Sequence, residues 1–346
     1  MLLFGFPLIE DLLTGQDPSL RYQPAIQADF SPLGGGRNQG IASTSEMYLP
    51  EFPIKNDPFI SEDRIIFSTR YRDKSVYEFD AIALFDVGTG SARVLENVEK
   101  KYDNLLSPVL SGNYAVWLDS MRDGGGRIVG YDLSADRQFI IKDYGYALPK
   151  LSVSGELLAF MQWAGPETQR LYVYNLRTRE PVTVKVYQNN RFGNSAASIS
   201  DRDLVWSEYG ADGTAVLKRI VFAGGTARYE NYDLEMNVFE PKTNGRDIVF
   251  TTDRTATSGA LMLSTNGGDP VRIAERVANY GIGDNFVAYT KDNRVFVCFT
   301  NEQNAFALSS EISKSRLSSV NGSWLTFYDV TDGVVTDEVV MYSNVK

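Results

Sequence analysis

Histidine is absent from all 346 residues. No imidazole is therefore available as the base of a Ser-His-Asp or Cys-His nucleophile. The zinc, copper and non-haem iron sites built on imidazole go with it. Any chemistry left to this chain runs on Asp, Glu, Tyr, Lys or Arg. Cysteine occurs once, at Cys298 in "RVFVCFT". One thiol makes no intramolecular disulfide, and an alternating apolar run predicts a buried small hydrophobe. Positive charge is short: 34 Lys and Arg stand against 44 Asp and Glu, a net charge of −10. That balance disfavours nucleic acid and anionic membrane surfaces, which attract a basic face. Long apolar runs are missing too. The opening "MLLFGFPLIEDLLTG" has no basic residues ahead of its apolar stretch and is interrupted by Pro7. It fits neither a signal peptide nor a membrane span, and it predicts a short helix on an N-terminal arm. The glycine-rich "DGGGR" (123–127) opens no helix, so it predicts a hairpin tip and not a phosphate loop. Neither a cofactor nor a metal is expected.

What is present is a repeat. Seven segments share one frame: "SEDRIIF" (61–67), "SGNYAVW" (111–117), "SGELLAF" (154–160), "SDRDLVW" (200–206), "NGRDIVF" (244–250), "GDNFVAY" (283–289) and "NGSWLTF" (321–327). Each starts on Ser, Asn or Gly followed by Gly, Asp or Glu, the residues that accept tight-turn conformations. Each ends on an aromatic: Phe67, Trp117, Phe160, Trp206, Phe250, Tyr289 or Phe327. Two places earlier stands an apolar residue, so the pair shares one face of a strand. The residue just ahead of the turn is apolar as well, and only Thr243 breaks that column. A third strand follows each copy, "LYVYNL" being typical, and a fourth follows all but the last. The aromatics are 50, 43, 46, 44, 39 and 38 residues apart. Four short antiparallel strands at this period predict an all-β, seven-bladed β-propeller. The last blade lacks its outer strand, and "TSEMYLPEF" (44–52) is expected to supply it and close the ring.

The turn-then-aromatic unit, followed by "LYVYNL"-type strands ending in Asp or Asn, resembles the TolB-like, WD40-like propeller repeat over residues 52–346. The family's turn commonly reads Ser-Pro-Asp-Gly, whereas here the Pro is missing from every copy. The stretch ahead of residue 52 is too short for the α/β domain that TolB itself carries. The expected organisation is an N-terminal arm over 1–30, a linker and closing strand over 31–51, and the propeller over 52–346. The Gly- and Ser-rich "SPLGGGRNQGIASTS" (31–45) reads as the linker. The arm reads as a tether, and the expected setting is the bacterial cell envelope, outside the cytoplasm.

In a propeller the loops joining strands two and three share one face with the loops joining successive blades. Here those loops carry Arg70, Arg72, Tyr77, Arg122, Tyr144, Tyr146, Trp163, Tyr187, Arg191, Tyr209 and Arg254. Tyr, Trp and Arg anchor binding surfaces. The expected function is a non-catalytic module that binds a protein, peptide or glycan on this face. The alternative is a carbohydrate-active hydrolase or lyase working on carboxylates, with Asp119, Glu208 and Asp253 placed just beyond second strands.

Overall fold

The computed structural model describes residues 42–52, 54–72, 78–145, 147–188, 193–201, 203–223, 226–231, 234–254, 259–302, 304–309, 313–331 and 339–345. The expected arm over 1–30 lies outside them. Among the described residues all regular structure is strand, arranged as seven four-stranded antiparallel sheets. Each sheet is one blade, and six of them run in simple sequence order from inner to outer strand. In blade 1, for example, the strands are Asn56–Ser61, Arg64–Thr69, Ala81–Asp86 and Ser91–Val94.

The repeat turns join inner strand to second strand through two residues. In blade 2, Ser111 pairs with Tyr114 across Gly112-Asn113; in blade 7, Asn321 pairs with Trp324 across Gly322-Ser323. The first loop residue has positive φ at Glu62, Gly112, Gly155, Asp201, Gly245 and Gly322. This is the left-handed region that explains the preference for Gly and Asp at this place.

No single nucleus holds the ring. Apolar residues gather in seven clusters, and each joins two neighbouring blades. Trp117 packs with Ile66, Ile82 and Leu84 of blade 1, and Trp206 with Met161, Leu171 and Val173 of blade 3. The other five repeat aromatics occupy the equivalent seams, and all seven are buried. Cys298 is buried as expected, and burial pushes its thiol up.

Inner strands have an open edge, and their N–H groups need acceptors. Hydroxyls from the preceding blade supply several. Ser152 and Ser154 accept from the amides of Ile199 (3.0 Å) and Asp201 (2.7 Å). Ser198 accepts from Thr243, and Ser319 accepts from Ile60 across the closing seam. Thr243 breaks the apolar column for a related reason. Its hydroxyl donates to the buried Asp203 (2.9 Å), which also receives Arg219 (2.6 Å).

Blade 7 closes as a composite. Its order is Ser313–Asn321, Trp324–Thr331, Val339–Val345 and then Ala42–Glu46 on the outside. Thr44 pairs with Ser343 and Glu46 with Met341. The closing strand thus starts two residues before "TSEMYLPEF" and leaves the sheet after Glu46. The rest of that segment turns inward because it carries Met47, Leu49 and Phe52, which are buried in the seam between blades 7 and 1.

Candidate functional site: the axial channel and its loop side

The seven inner strands surround a channel of about 1100 Å³. Ser, Thr and Asn recur along its wall, because the small hydroxyl residues that join one inner strand to the next also face the axis. Charge along it is segregated. At the turn end stand Glu62, Asp201 and Asp284, each in the first position of a hairpin turn. The rest of the wall carries Lys150, Lys242 and Arg316 together with Asp57 and Glu240.

Glu240 links the channel to the loops. One oxygen accepts from the Tyr209 hydroxyl (3.3 Å), and the other pairs with Lys150 (3.3 Å). The Tyr209 ring packs on Phe239 at 5.4 Å, and the Arg254 guanidinium lies over it at 5.6 Å. A second network lies between blades 3 and 4. Tyr187 donates to Glu208 (2.9 Å) and accepts from the Trp206 indole (2.8 Å), while Lys185 also reaches Glu208 (2.5 Å). Burial, then the charges of Glu208 and Glu240, push the Tyr187 and Tyr209 hydroxyls well above the usual phenol range. Both are therefore fixed donors at neutral pH and not bases.

Lys242 differs from these partnered groups. Its side chain lines the channel and keeps solvent-accessible surface, while the ammonium lies among protein groups. Desolvation, followed by the nearby Lys150, pushes the ammonium down to about 8, against the pull of Glu240. Its one hydrogen-bond partner among the described residues is the Tyr280 carbonyl.

The residues expected on the loop face fall into separate groups. Arg72 belongs to blade 1 and Arg122 to blade 2. Arg122 pairs with Glu78 (3.2 Å), and Arg72 donates to the Val98 carbonyl (3.3 Å), while its amide is held by Asp80. Arg70 is half-buried at the end of the second strand of blade 1. Trp163 is half-buried against Gly193, where an added Cβ would come within 2.9 Å of the indole. Tyr187 joins the Glu208 network, and Tyr209 and Arg254 join Glu240. Tyr144 is buried in the seam between blades 2 and 3, with its hydroxyl pushed up by burial. Tyr77, Tyr146 and Arg191 lie outside the described residues.

The sequence reading missed Lys150, Glu240, Lys242 and Arg316, which sit on or beside inner strands and not in long loops. One signal was available: Lys242 stands two places ahead of its turn, where the other copies have Phe59, Val109, Ser152, Ser198, Gly281 and Ser319. The candidate acids are engaged. Asp119 is fully buried and accepts the amides of Lys101 (2.8 Å) and Tyr102 (2.9 Å) and the Arg127 guanidinium (2.7 Å). Glu208 is shared by Lys185 and Tyr187, and Asp253 too has interactions of its own. Among the described residues no group of three or more Cys, Asp or Glu is placed to hold a metal ion.

No family model matches the chain, and no curated protein does either. Solved structures do resemble it. The β-propeller domain of the trilobed protease from Pyrococcus furiosus superposes with a TM-score of 0.62 at 10% identity, over 86% of this chain and 96% of that one. An oligogalacturonate lyase from Vibrio parahaemolyticus gives 0.59 at 9% identity, over 87% and 93%. An acylaminoacyl peptidase from Pyrococcus horikoshii gives 0.59 at 10% identity, over 84% of this chain but only 52% of the enzyme. At these identities the likeness is one of fold alone.

Proposed function

We propose that this chain is a non-catalytic recognition propeller, which binds a protein, peptide or glycan through the loop side of its axial channel. The observation that carries this reading is the channel of about 1100 Å³, just above the roughly 300–1,000 Å³ of small-molecule sites and so roomy enough for a larger ligand. On its loop side the acids and phenols engage one another, while Lys242 and Arg316 on its wall form no ion pair among the described residues. The engagement of Asp119, Glu208 and Glu240 in ion pairs argues against a carboxylate pair poised on a substrate. The TolB-like character of the repeat, and a setting in the bacterial envelope, belong to the same proposal.

Peptide and glycan arrays, run beside a hydrolysis and elimination screen, test it. Binding without turnover is expected. The combination Lys150→Gln with Glu240→Gln, on the channel wall, is expected to reduce capture and leave the circular dichroism spectrum unchanged. Turnover of a glycan that is stopped by one Asp or Glu substitution in the strand two to three loops would replace this reading with the hydrolase or lyase one.

A further inference from the structure

Outer strands are the free edges of a propeller, where unpaired N–H and C=O groups can template another strand. Five of the seven are unfit for that. Those of blades 1 and 6 have only four and three residues. Those of blades 2, 3 and 5 are interrupted by a register shift against their neighbours. Blade 7 ends on Ala42–Glu46, which is regular but carries a single charge. Blade 4 ends on Thr226–Asn231, six residues in unbroken register with Lys218–Ala223, at the free edge of its sheet. Among the described residues it is the one regular outer strand with charges of both signs, and Arg228, Tyr229 and Glu230 stand together in it. Arg228 and Glu230 share one face of the strand and Tyr229 takes the other. Arg228 pairs with Glu230, but that carboxylate is also held by Arg219 at 3.3 Å, and the Arg228 side chain stays 76% exposed. The Tyr229 hydroxyl donates to the Val184 carbonyl of blade 3 (3.2 Å), which holds the ring while leaving it 57% exposed.

We propose that this edge pairs with the same edge of a second copy of the chain, antiparallel and two-fold about Tyr229. The charges select the register. With Tyr229 opposite its own copy, Arg228 of each chain faces Glu230 of the other, and both opposite-charge pairs lie on one face of the joined sheet. Shifted by two residues either way, the same strands set Arg228 against Arg228 or Glu230 against Glu230, and like charges directly opposite one another destabilise a sheet. A two-fold interface has to be self-complementary. A strand that reads Arg-Tyr-Glu about its axis meets that condition, whereas a foreign strand would need the matching charges by chance. The outer strands lie on the circumference of the ring, so two rings meet side by side and leave both faces of the propeller open. The inference therefore does not depend on the recognition reading above.

The test begins with sedimentation equilibrium of the whole, unaltered chain, which should show a monomer–dimer equilibrium. Register is then read by cross-linking, because the sole cysteine, Cys298, is buried and gives a clean background. Residues opposite one another in an antiparallel pair have Cα atoms about 4.5–5.5 Å apart, within disulfide range. Under mild oxidation Tyr229→Cys should form a covalent dimer. Arg228→Cys faces position 230 of the other chain and not itself, so it should cross-link at least about tenfold more slowly. Charge exchange supplies a second arm. Glu230→Arg alone and Arg228→Glu alone should each dimerise about tenfold more weakly than the unaltered chain, since opposite pairs become like pairs, and a 1:1 mixture of the two should recover the dimer. Equal cross-linking of Tyr229→Cys and Arg228→Cys overturns the proposal, as does a mixture no better than either charge variant when both keep the unaltered circular dichroism spectrum. An unaltered chain that stays monomeric up to about 1 mM overturns it without any variant. If an extended peptide from the arrays then slows hydrogen exchange at residues 226–231, the edge receives a foreign strand instead of a second copy.

Discussion

Trp117 and Trp206 hold the same place in the repeat, and comparing them separates packing from hydrogen bonding. Both indoles are fully buried in seams between blades. The Trp206 Nε1 donates to the Tyr187 hydroxyl at 2.8 Å, whereas the buried Trp117 Nε1 has no partner among the described residues. A large aromatic buries on the order of 200 Å². Truncation to Ala forfeits about three quarters of that, and at about 25 cal/mol per Å² the loss is about 4 kcal/mol. This agrees with the roughly 3–5 kcal/mol found for large core aromatics. Truncation to Phe keeps most of the area. Trp117→Phe should therefore be mild, while Trp206→Phe also removes a hydrogen bond and should cost about 1 kcal/mol more. Urea unfolding followed by far-ultraviolet circular dichroism measures the difference without relying on the altered fluorophore. A coincident transition by a second probe shows whether the ring unfolds as one unit. Equal costs for the two Phe variants would refute the hydrogen-bond assignment. Unchanged stability in Trp117→Ala together with lost ligand binding would show that the repeat aromatics form a site and not a core.

Asp119→Asn should cost about 3–5 kcal/mol, because Arg127 is left buried without its counter-ion, as chemical denaturation would show. Deleting residues 1–46 should lower the melting temperature clearly, since it removes the outer strand of blade 7, whereas deleting residues 1–30 should matter much less. Lys242 predicts a pH dependence. Its folded value of about 8 lies below the ordinary 10.5, so the unfolded chain binds this proton more tightly. Below about pH 8 the group opposes folding by a constant amount, and the penalty fades as pH rises from there through 10.5. Channel water screens the charge, so Lys242→Met should add only about 1 kcal/mol at pH 6–7 and almost nothing near pH 10.5, read as the urea midpoint across pH.

Blade number was legible because its determinants are local. A positive φ at the first turn residue of six blades favours Gly or Asp, and the two-residue alternation behind it puts an apolar residue and an aromatic on one face. Both requirements act within seven residues, so seven copies can be counted without knowing what any of them touches. The start of the closing strand was legible to within two residues, since an unpaired outer position must be filled by whatever chain lies nearest. Placing its end required knowing that Met47, Leu49 and Phe52 have a seam to enter.

The site was much less legible. Loop composition pointed to Tyr209 and Arg254, but it did not distinguish Tyr144, which is buried, or Asp119, whose charge is used to order a loop. Nor could it show that Lys242 and Arg316, 74 positions apart in the chain, face one channel while Glu240 is occupied elsewhere. Sequence alone determined the strand, the turn and their sevenfold count, because those depend on backbone conformation and side-chain alternation over a few residues. Only the closed ring decided which charges share the channel and which are paired, because Coulomb energy and desolvation depend on distance and surroundings in space and not on separation along the chain.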